Sequence, residues 1–325
     1  RIRKPQLILL ILAIFIIVVF LSTLIGSYFI SLATDEEEKE YIKWVDFTPT
    51  ASILEKLAKL DIESHQKEAD VTYNWIELLA YLASLYGGNF KNYREKDLED
   101  LLAKLQSGQT MEELTQDKKY YSYYLEAYQA VLNGFIGNYA IETVQENGEK
   151  CFEEKYGLKA FLPIAKNYSF SHYDDFGNAR SYGFNRKHLG NDLMGSIGTP
   201  IIAVESGIVE AAGWNQYGGW RIGIRSFDKK RYYYYAHLRK DHPFAQDIEE
   251  GKIVKAGDVI NVPHLHFGMQ LIFDESQKEG NNEIWIDVYS IIEFLKKNRS
   301  EVYLEDTSTK EYARKYDIML PEVPE

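Results

Sequence analysis

Pro263-His264-Leu265-His266-Phe267 places two histidines one residue apart in an apolar run. Side chains on a strand alternate between faces, so both imidazoles point the same way. Two imidazoles aimed into one space can share a metal ion or a reacting water. The same five residues also describe a pair of surface histidines, and the surrounding sequence decides between the two readings. His188-Leu189-Gly190-Asn191-Asp192 sets a histidine and an aspartate four residues apart, and Tyr235-Ala236-His237-Leu238 lies between the two motifs. Four of the 7 histidines therefore fall into three short motifs in one region.

Composition narrows what could bind there. The 325 residues suffice for two domains, and a hydrophobic content of 45% allows a sizeable core. A net charge of -12 argues against nucleic acid as a partner. Cys151 is the sole cysteine, which excludes an internal disulfide and an all-cysteine zinc site. Any metal must be held mainly by His, Asp or Glu.

The chain opens on Arg1, which fits a start inside a longer product. Residues 6–33 read QLILLILAIFIIVVFLSTLIGSYFISLA without a charge. About 20 apolar residues cross a bilayer core, whereas a secretory signal has an apolar core of roughly 7–15. Ser31-Leu32-Ala33 resembles a cleavage site, but length favours an anchor. Arg1, Arg3 and Lys4 precede the run and Asp35-Glu36-Glu37-Glu38 follow it. Basic flanks stay in the cytoplasm, so everything after about residue 34 is expected outside. The expected order is a basic flank and transmembrane helix over 1–34 and a juxtamembrane linker over 35–50.

From 51 to about 145 the apolar period is helical. Trp75, Leu78, Leu79 and Leu82 fit one helical face, as do Leu98, Leu101, Leu102 and Leu105. Tyr121, Tyr124, Leu125, Tyr128, Val131, Leu132 and Phe135 extend the pattern. Gly87-Gly88-Asn89 and Ser107-Gly108 break it. A small all-α domain is expected over 51–160, its tyrosines in the core or lining a sugar groove, serving as a stalk or in substrate binding. Glu77 would be the acid if this domain were muramidase-like, but the serine and glycines expected after such a glutamate are absent.

After residue 160 short apolar runs alternate with Gly and Asn, including 201–204, 207–213, 220–224, 231–237 and 265–273. These predict an antiparallel sheet domain over 161–300. Residues 286–298 predict one amphipathic helix, and 301–325 a charged tail. Hydrolytic zinc takes about three protein ligands and keeps one position for water. His188 and Asp192 can supply two, although Asp192 could equally cap a turn. One of His264 and His266 can supply the third, with the other beside the open position. His237 could reach the same water, or be an exposed strand-end histidine. His65, His172 and His242 remain; His172 could be a latent ligand, but reads better as a surface loop residue.

His188-x-x-x-Asp192, Tyr235-Ala236-His237-Leu238 and His264-Leu265-His266-Phe267 resemble the three motifs of the lysostaphin/LytM-type zinc endopeptidases. Phe176-Gly177, Gly198-Thr199-Pro200-Ile201, Ala203-Val204-x-x-Gly207-x-Val209 and Val254-x-x-Gly257-Asp258 match as well. The resemblance covers about 165–290. It implies a mostly antiparallel β fold that cuts peptide stems or cross-bridges of bacterial peptidoglycan. It further implies that His188, Asp192 and His266 bind Zn2+, while His264 and His237 act on the water and the oxyanion. One departure is clear. Gly257-Asp258-Val259-Ile260 runs straight into Asn261-Val262-Pro263, and the Gly/Ser-rich loop that the family carries there, commonly a wall of the substrate groove, is missing.

The fold class expected is thus α+β multidomain: a transmembrane helix, a small all-α domain and a mainly antiparallel β LytM-type peptidase domain. The expected function is wall remodelling by a membrane-anchored endopeptidase outside the cytoplasm, including service to a secretion or conjugation machine with envelope protein partners. The rival is a non-catalytic LytM-fold module in an envelope or sporulation complex. A muramidase-like helical domain would make the chain bifunctional.

Overall fold

A computed structural model describes residues 20–22, 41–66, 69–181, 185–238, 244–245, 247–261, 265–307 and 311–321. The chain divides into residues Arg1–Tyr41 and a compact unit, Ile42–Glu325. The expected membrane span lies outside the described residues except for 20–22, which are helical. Among the described residues no helix is long and apolar enough to cross a membrane.

The compact unit opens with helices α1 (Ala51–Gln66), α2 (Trp75–Tyr86), α3 (Glu95–Gln106), α4 (Met111–Thr115) and α5 (Tyr121–Leu132). Their boundaries follow local chemistry. The Asn74 side chain accepts from the Ile76 and Glu77 N–H groups and starts α2. Gly87, at φ 59°, ends it in the left-handed conformation that a Cβ disfavours. Thr110 and Glu113 form a reciprocal capping box on α4. Glu77 sits in the first turn of α2, where an acidic residue suits the positive helix end, and burial raises its pKa.

The strands follow in chain order: β1 (Ile136–Val144), β2 (Lys150–Leu158), β3 (Phe170–His172), β4 (Ala179–Ser181), β5 (Asn185–Lys187), β6 (Asn191–Gly195), β7 (Ile201–Ile202), β8 (Gly207–Asn215) and β9 (Gly219–Ser226). Then come β10 (Arg231–Leu238), β11 (Ile253–Val254), β12 (Val259–Asn261), β13 (Leu265–Leu271) and β14 (Ile284–Ile286). After helix α6 (Tyr289–Leu295) the chain ends with β15 (Val302–Asp306), β16 (Glu311–Arg314) and β17 (Ile318–Met319). The main sheet is antiparallel, in the order β11-β8-β9-β10-β13-β6-β3. β6 and β14 share one edge of β13: β6 pairs with residues 265–267 and β14 with residues 269–271.

Three stretches differ from the sequence expectation. The helical pattern ends at Leu132, and residues 136–158 form the β1–β2 hairpin. β-branched Ile136, Ile141, Thr143 and Val144 favour strand, and Gly148, at φ 84°, makes the turn. The stretch read as a charged tail instead carries the β15–β16 hairpin and β17, which pairs with β1 through Ala140 and Ile141. The helix expected over 286–298 is shorter, because Ile284–Ile286 alternates and joins β13, and the Asp287 carboxylate accepts from the Tyr289 N–H at 2.9 Å as the helix begins.

The helices do not stand off from the sheet. One contiguous apolar core runs from Val45 and Leu54 through Leu79 and Val131 to Ile224, Phe267 and Leu295. Trp75 packs against Phe294 of α6 with ring centroids 5.8 Å apart. The buried Arg231 guanidinium of β10 donates to the Ala130 carbonyl at 2.8 Å and to Glu205 at 2.7 and 2.9 Å. It therefore satisfies an orphan carbonyl near the end of α5 from inside the sheet.

Candidate metal centre

β13 sorts its residues by face. Leu265, Phe267, Met269 and Leu271 are fully buried in the core, so His266 points to the opposite face. Its antiparallel partner on β6 is Asp192, and on β10 it is Ala236. Cross-strand neighbours on one face meet side by side, and the His266 and Asp192 side chains do so. His266 Nδ1 lies 3.1 Å from Asp192 Oδ1. His188, in the segment between β5 and β6, closes the group. Its Nε2 lies 2.8 Å from His266 Nδ1 and 3.2 Å from Asp192 Oδ1. Among the described residues this is the group of ligand-type side chains that could hold a metal ion.

Close packing of backbone makes room for it. A Cβ on Gly190 would stand 2.5 Å from the Phe267 carbonyl oxygen and 2.7 Å from the His266 ring. Only glycine lets the segment carrying His188 lie against β13 here. Asn191, fully buried, anchors the start of β6: its side chain accepts from the Val288 N–H at 3.2 Å and donates to the Tyr173 carbonyl at 3.1 Å.

A second layer of side chains sets the orientation. Asp175 Oδ1 accepts from the Asp192 N–H at 3.3 Å, and the Asp175 carbonyl lies 3.1 Å from His188 Nδ1. Arg180 Nη2 donates to Asp175 Oδ2 at 2.6 Å and lies 3.3 Å from Asp192 Oδ2. Burial opposes charge on all three members of the cluster. For His188, contact with Asp192 outweighs burial and the pKa rises above the ordinary value. For His266 burial prevails over Asp192 and the pKa falls. Asp192 is also penalised by burial, but hydrogen bonding to both imidazoles holds its carboxyl well below the usual range.

His237 reaches the same face by a backbone irregularity. Tyr233 and Tyr235 point into the core, and unbroken alternation would send His237 after them. The pairing of β10 with β9 shifts between Tyr235 and Leu238, and His237 takes φ 61°. Such a bulge re-aims a side chain. The His237 ring is exposed, with its centroid 5.6 Å from that of His266. The His237 backbone N–H donates to the Gly218 carbonyl at 2.9 Å. Tyr234 lies on this face too, its ring centroid 6.2 Å from that of His266.

The structure thus brings His188, Asp192 and His266 together and sets His237 beside them. His264 lies outside the described residues, as does His242. His172 is not at the surface: its side chain is buried, bonded to Glu293 at 2.9 Å and stacked on Tyr289. His65 of α1 stacks on Tyr156 of β2. Asp175, Arg180 and Gly190 contact the cluster as well, and the sequence reading does not single them out. The spacing of Asp175-Phe176-Gly177 and Arg180 was visible, but nothing in those residue types alone says which histidine they serve.

The donor set fits a divalent metal. A tetrahedral ion about 2.1 Å from each donor sets the donors roughly 3.4 Å apart, and the three atoms here are already 2.8, 3.1 and 3.2 Å apart. Two imidazoles and one carboxylate are a set that zinc accepts.

Comparison with known proteins finds one matched stretch that includes His188, Asp192 and His266. Residues 186–278 match the pattern of Peptidase family M23. A stretch of 130 residues is 40% identical to the L-Ala--D-Glu endopeptidase of Bacillus subtilis, covering 35% of this chain and 38% of that protein. A stretch of 90 residues is 38% identical to lysostaphin of Staphylococcus simulans, covering 25% of this chain and 17% of that protein. The chain therefore spans well under half the length of these relatives. The solved structure of a glycyl-glycine endopeptidase LytM from Ruminococcus gnavus is 20% identical, with a TM-score of 0.48 over 77% of this chain and 89% of that one.

Proposed function

We propose that the M23-type domain of residues 186–278 is a zinc-dependent endopeptidase acting on bacterial peptidoglycan, and that it cuts the stem peptide between L-alanine and D-glutamate. The observation that carries the first part is the His188–Asp192–His266 group, with donor atoms facing one another at 2.8–3.2 Å. The choice of bond rests on the longer and closer match to the L-Ala--D-Glu endopeptidase than to lysostaphin.

His188 through Nε2, Asp192 through Oδ1 and His266 through Nδ1 would hold the ion. When bound, zinc supplies a Lewis acid that makes water a usable nucleophile near neutral pH. His237 sits beside the cluster, where it can orient that water or donate to the oxygen of the tetrahedral intermediate. His264 is assigned the partner role on the strength of the sequence resemblance. A non-catalytic module would need neither the full donor set nor the bulge that turns His237 onto the same face.

The apolar run of residues 6–33, with its basic flank, is proposed as a membrane anchor that leaves the domain outside the cytoplasm. The test of function is digestion of purified walls with direct-, diaminopimelate- and glycine-bridged stems. Fragments are then identified by mass spectrometry. Cleavage after L-alanine is expected. Cuts confined to glycine bridges would replace the bond assignment, and intact walls after zinc loading would sink the enzyme reading.

A further inference from the structure

We propose that Arg180 is a positioning residue that ties Oδ2 of Asp192, so that a divalent cation in the cluster takes Asp192 through Oδ1 alone and one coordination position stays open. The inference rests on the metal-centre reading above and deepens it.

The hydrogen count at one nitrogen makes the case. Nη2 of Arg180 carries two hydrogens and has three neighbours within 3.3 Å: Asp175 Oδ2 at 2.6 Å, Asp192 Oδ2 at 3.3 Å and His188 Nδ1 at 3.2 Å. Two carboxylate oxygens use both hydrogens. A bond to His188 Nδ1 would require a lone pair there. Nδ1 instead faces the Asp175 carbonyl at 3.1 Å and Asp175 Oδ2 at 3.2 Å, two acceptors that call for a proton on Nδ1. Nδ1–H donates to Asp175, and Nε2 is then the bare nitrogen, on the side that faces His266 and Asp192. The Arg180–Asp175 pair therefore fixes the tautomer of His188 and keeps Nη2 free for Asp192.

The two oxygens of Asp192 are divided accordingly. Oδ1 faces His188 Nε2 at 3.2 Å and His266 Nδ1 at 3.1 Å, where a shared ion would sit. Oδ2 turns away, toward the guanidinium. A carboxylate free to rotate can chelate a divalent ion with both oxygens, and the second would then add a fifth donor beside the position that hydrolysis needs and crowd it. A charge-assisted hydrogen bond on Oδ2 opposes that rotation. Arg180 itself is placed by the short β4–β5 hairpin, whose pairing joins Ala179 to Lys187 directly before His188.

Cobalt(II) reports this directly, because four-coordinate cobalt absorbs more strongly in the visible than five-coordinate cobalt. The full chain would be stripped of metal, loaded with cobalt and compared with R180M and R180Q, folding being checked by circular dichroism. The parent should show the strong four-coordinate band. Each variant that takes cobalt should show a weaker band of higher coordination, and wall hydrolysis with zinc should fall about 10–100-fold, as for other outer-sphere partners. An unchanged band in either variant overturns the proposal. Loss of cobalt from both also overturns it, since Arg180 would then hold the ligands in place rather than limit one of them. A parent that takes no cobalt at equimolar metal removes the metal centre itself.

Discussion

At the scale of single residues, the proposed roles separate holding a metal from acting on a substrate. Asp192 supplies the sole carboxylate among the three donors. D192A should therefore lose bound zinc, measured by atomic absorption after dialysis, because two imidazoles alone make a poor site. H237A should keep its zinc and lose activity by about 10²–10⁴-fold, the range for a missing general acid or base. Zinc loss from H237A would move that residue into the ligand set. His172 gives a different kind of prediction. Burial holds its pKa below the ordinary value near 6.5, against the pull of Glu293. The unfolded chain then binds more protons than the folded one just below pH 6.5, so stability rises with pH there. The cost is absent above that pH and grows as pH falls. H172N should flatten the dependence of unfolding free energy on pH between 5 and 7, measured in urea on metal-free protein. An unchanged slope would mean that His172 titrates as it does in the unfolded chain. The burial of His172 was not legible in the sequence, since it depends on Tyr289 and Glu293 arriving from a helix over a hundred residues away.

At the scale of elements, what the sequence showed and what it hid follow from range. Alternation on β13 and the partition of its faces could be read from Leu265, His266 and Phe267 alone, because period two is local. The bulge that turns His237 over was not readable, since plain alternation from Tyr233 and Tyr235 points it inward. Only pairing with β9 creates the irregularity. The same limit hid β15, β16 and β17: their charged outward residues resemble a solvated tail until β1 supplies a partner for β17. Gly190 ties two of these elements together. Its missing Cβ is what lets the chain before β6 approach the Phe267 carbonyl on β13. G190A should push His188 away from His266 and weaken zinc binding by at least about tenfold, comparable to loss of an outer-sphere contact, as read by competition with a chelator. Retention of parental affinity would show that β6 and β13 can part without disturbing the ligands.

At the scale of the whole molecule, the helices and the sheet of the Ile42–Glu325 unit share a core and a buried ionic tie, so they are expected to unfold together. Arg231 is fully buried on β10, yet its guanidinium serves Glu205 before β8, Asp228 in the β9–β10 turn and the Ala130 carbonyl of α5. Gly134, just past α5, leaves no space for a side chain: a Cβ there would overlap the Glu205 carboxylate at 1.7 Å. The helical segment is thus fitted to the sheet rather than appended to it. R231M would strand Glu205 and Asp228 without their cation and remove the donor to α5. Breaking a buried pair in this way costs about 3–5 kcal/mol, whereas an exposed pair costs under about 1 kcal/mol. The prediction concerns cooperativity as well as magnitude. Urea unfolding of the zinc-loaded protein, followed by far-ultraviolet circular dichroism for the helices and by loss of wall hydrolysis for the site, should give coincident transitions. In R231M both should move together to lower urea. Two separated transitions in the parent, or a shift of the helical signal with the site left in place, would show that the helical segment folds independently and that Arg231 only decorates its edge.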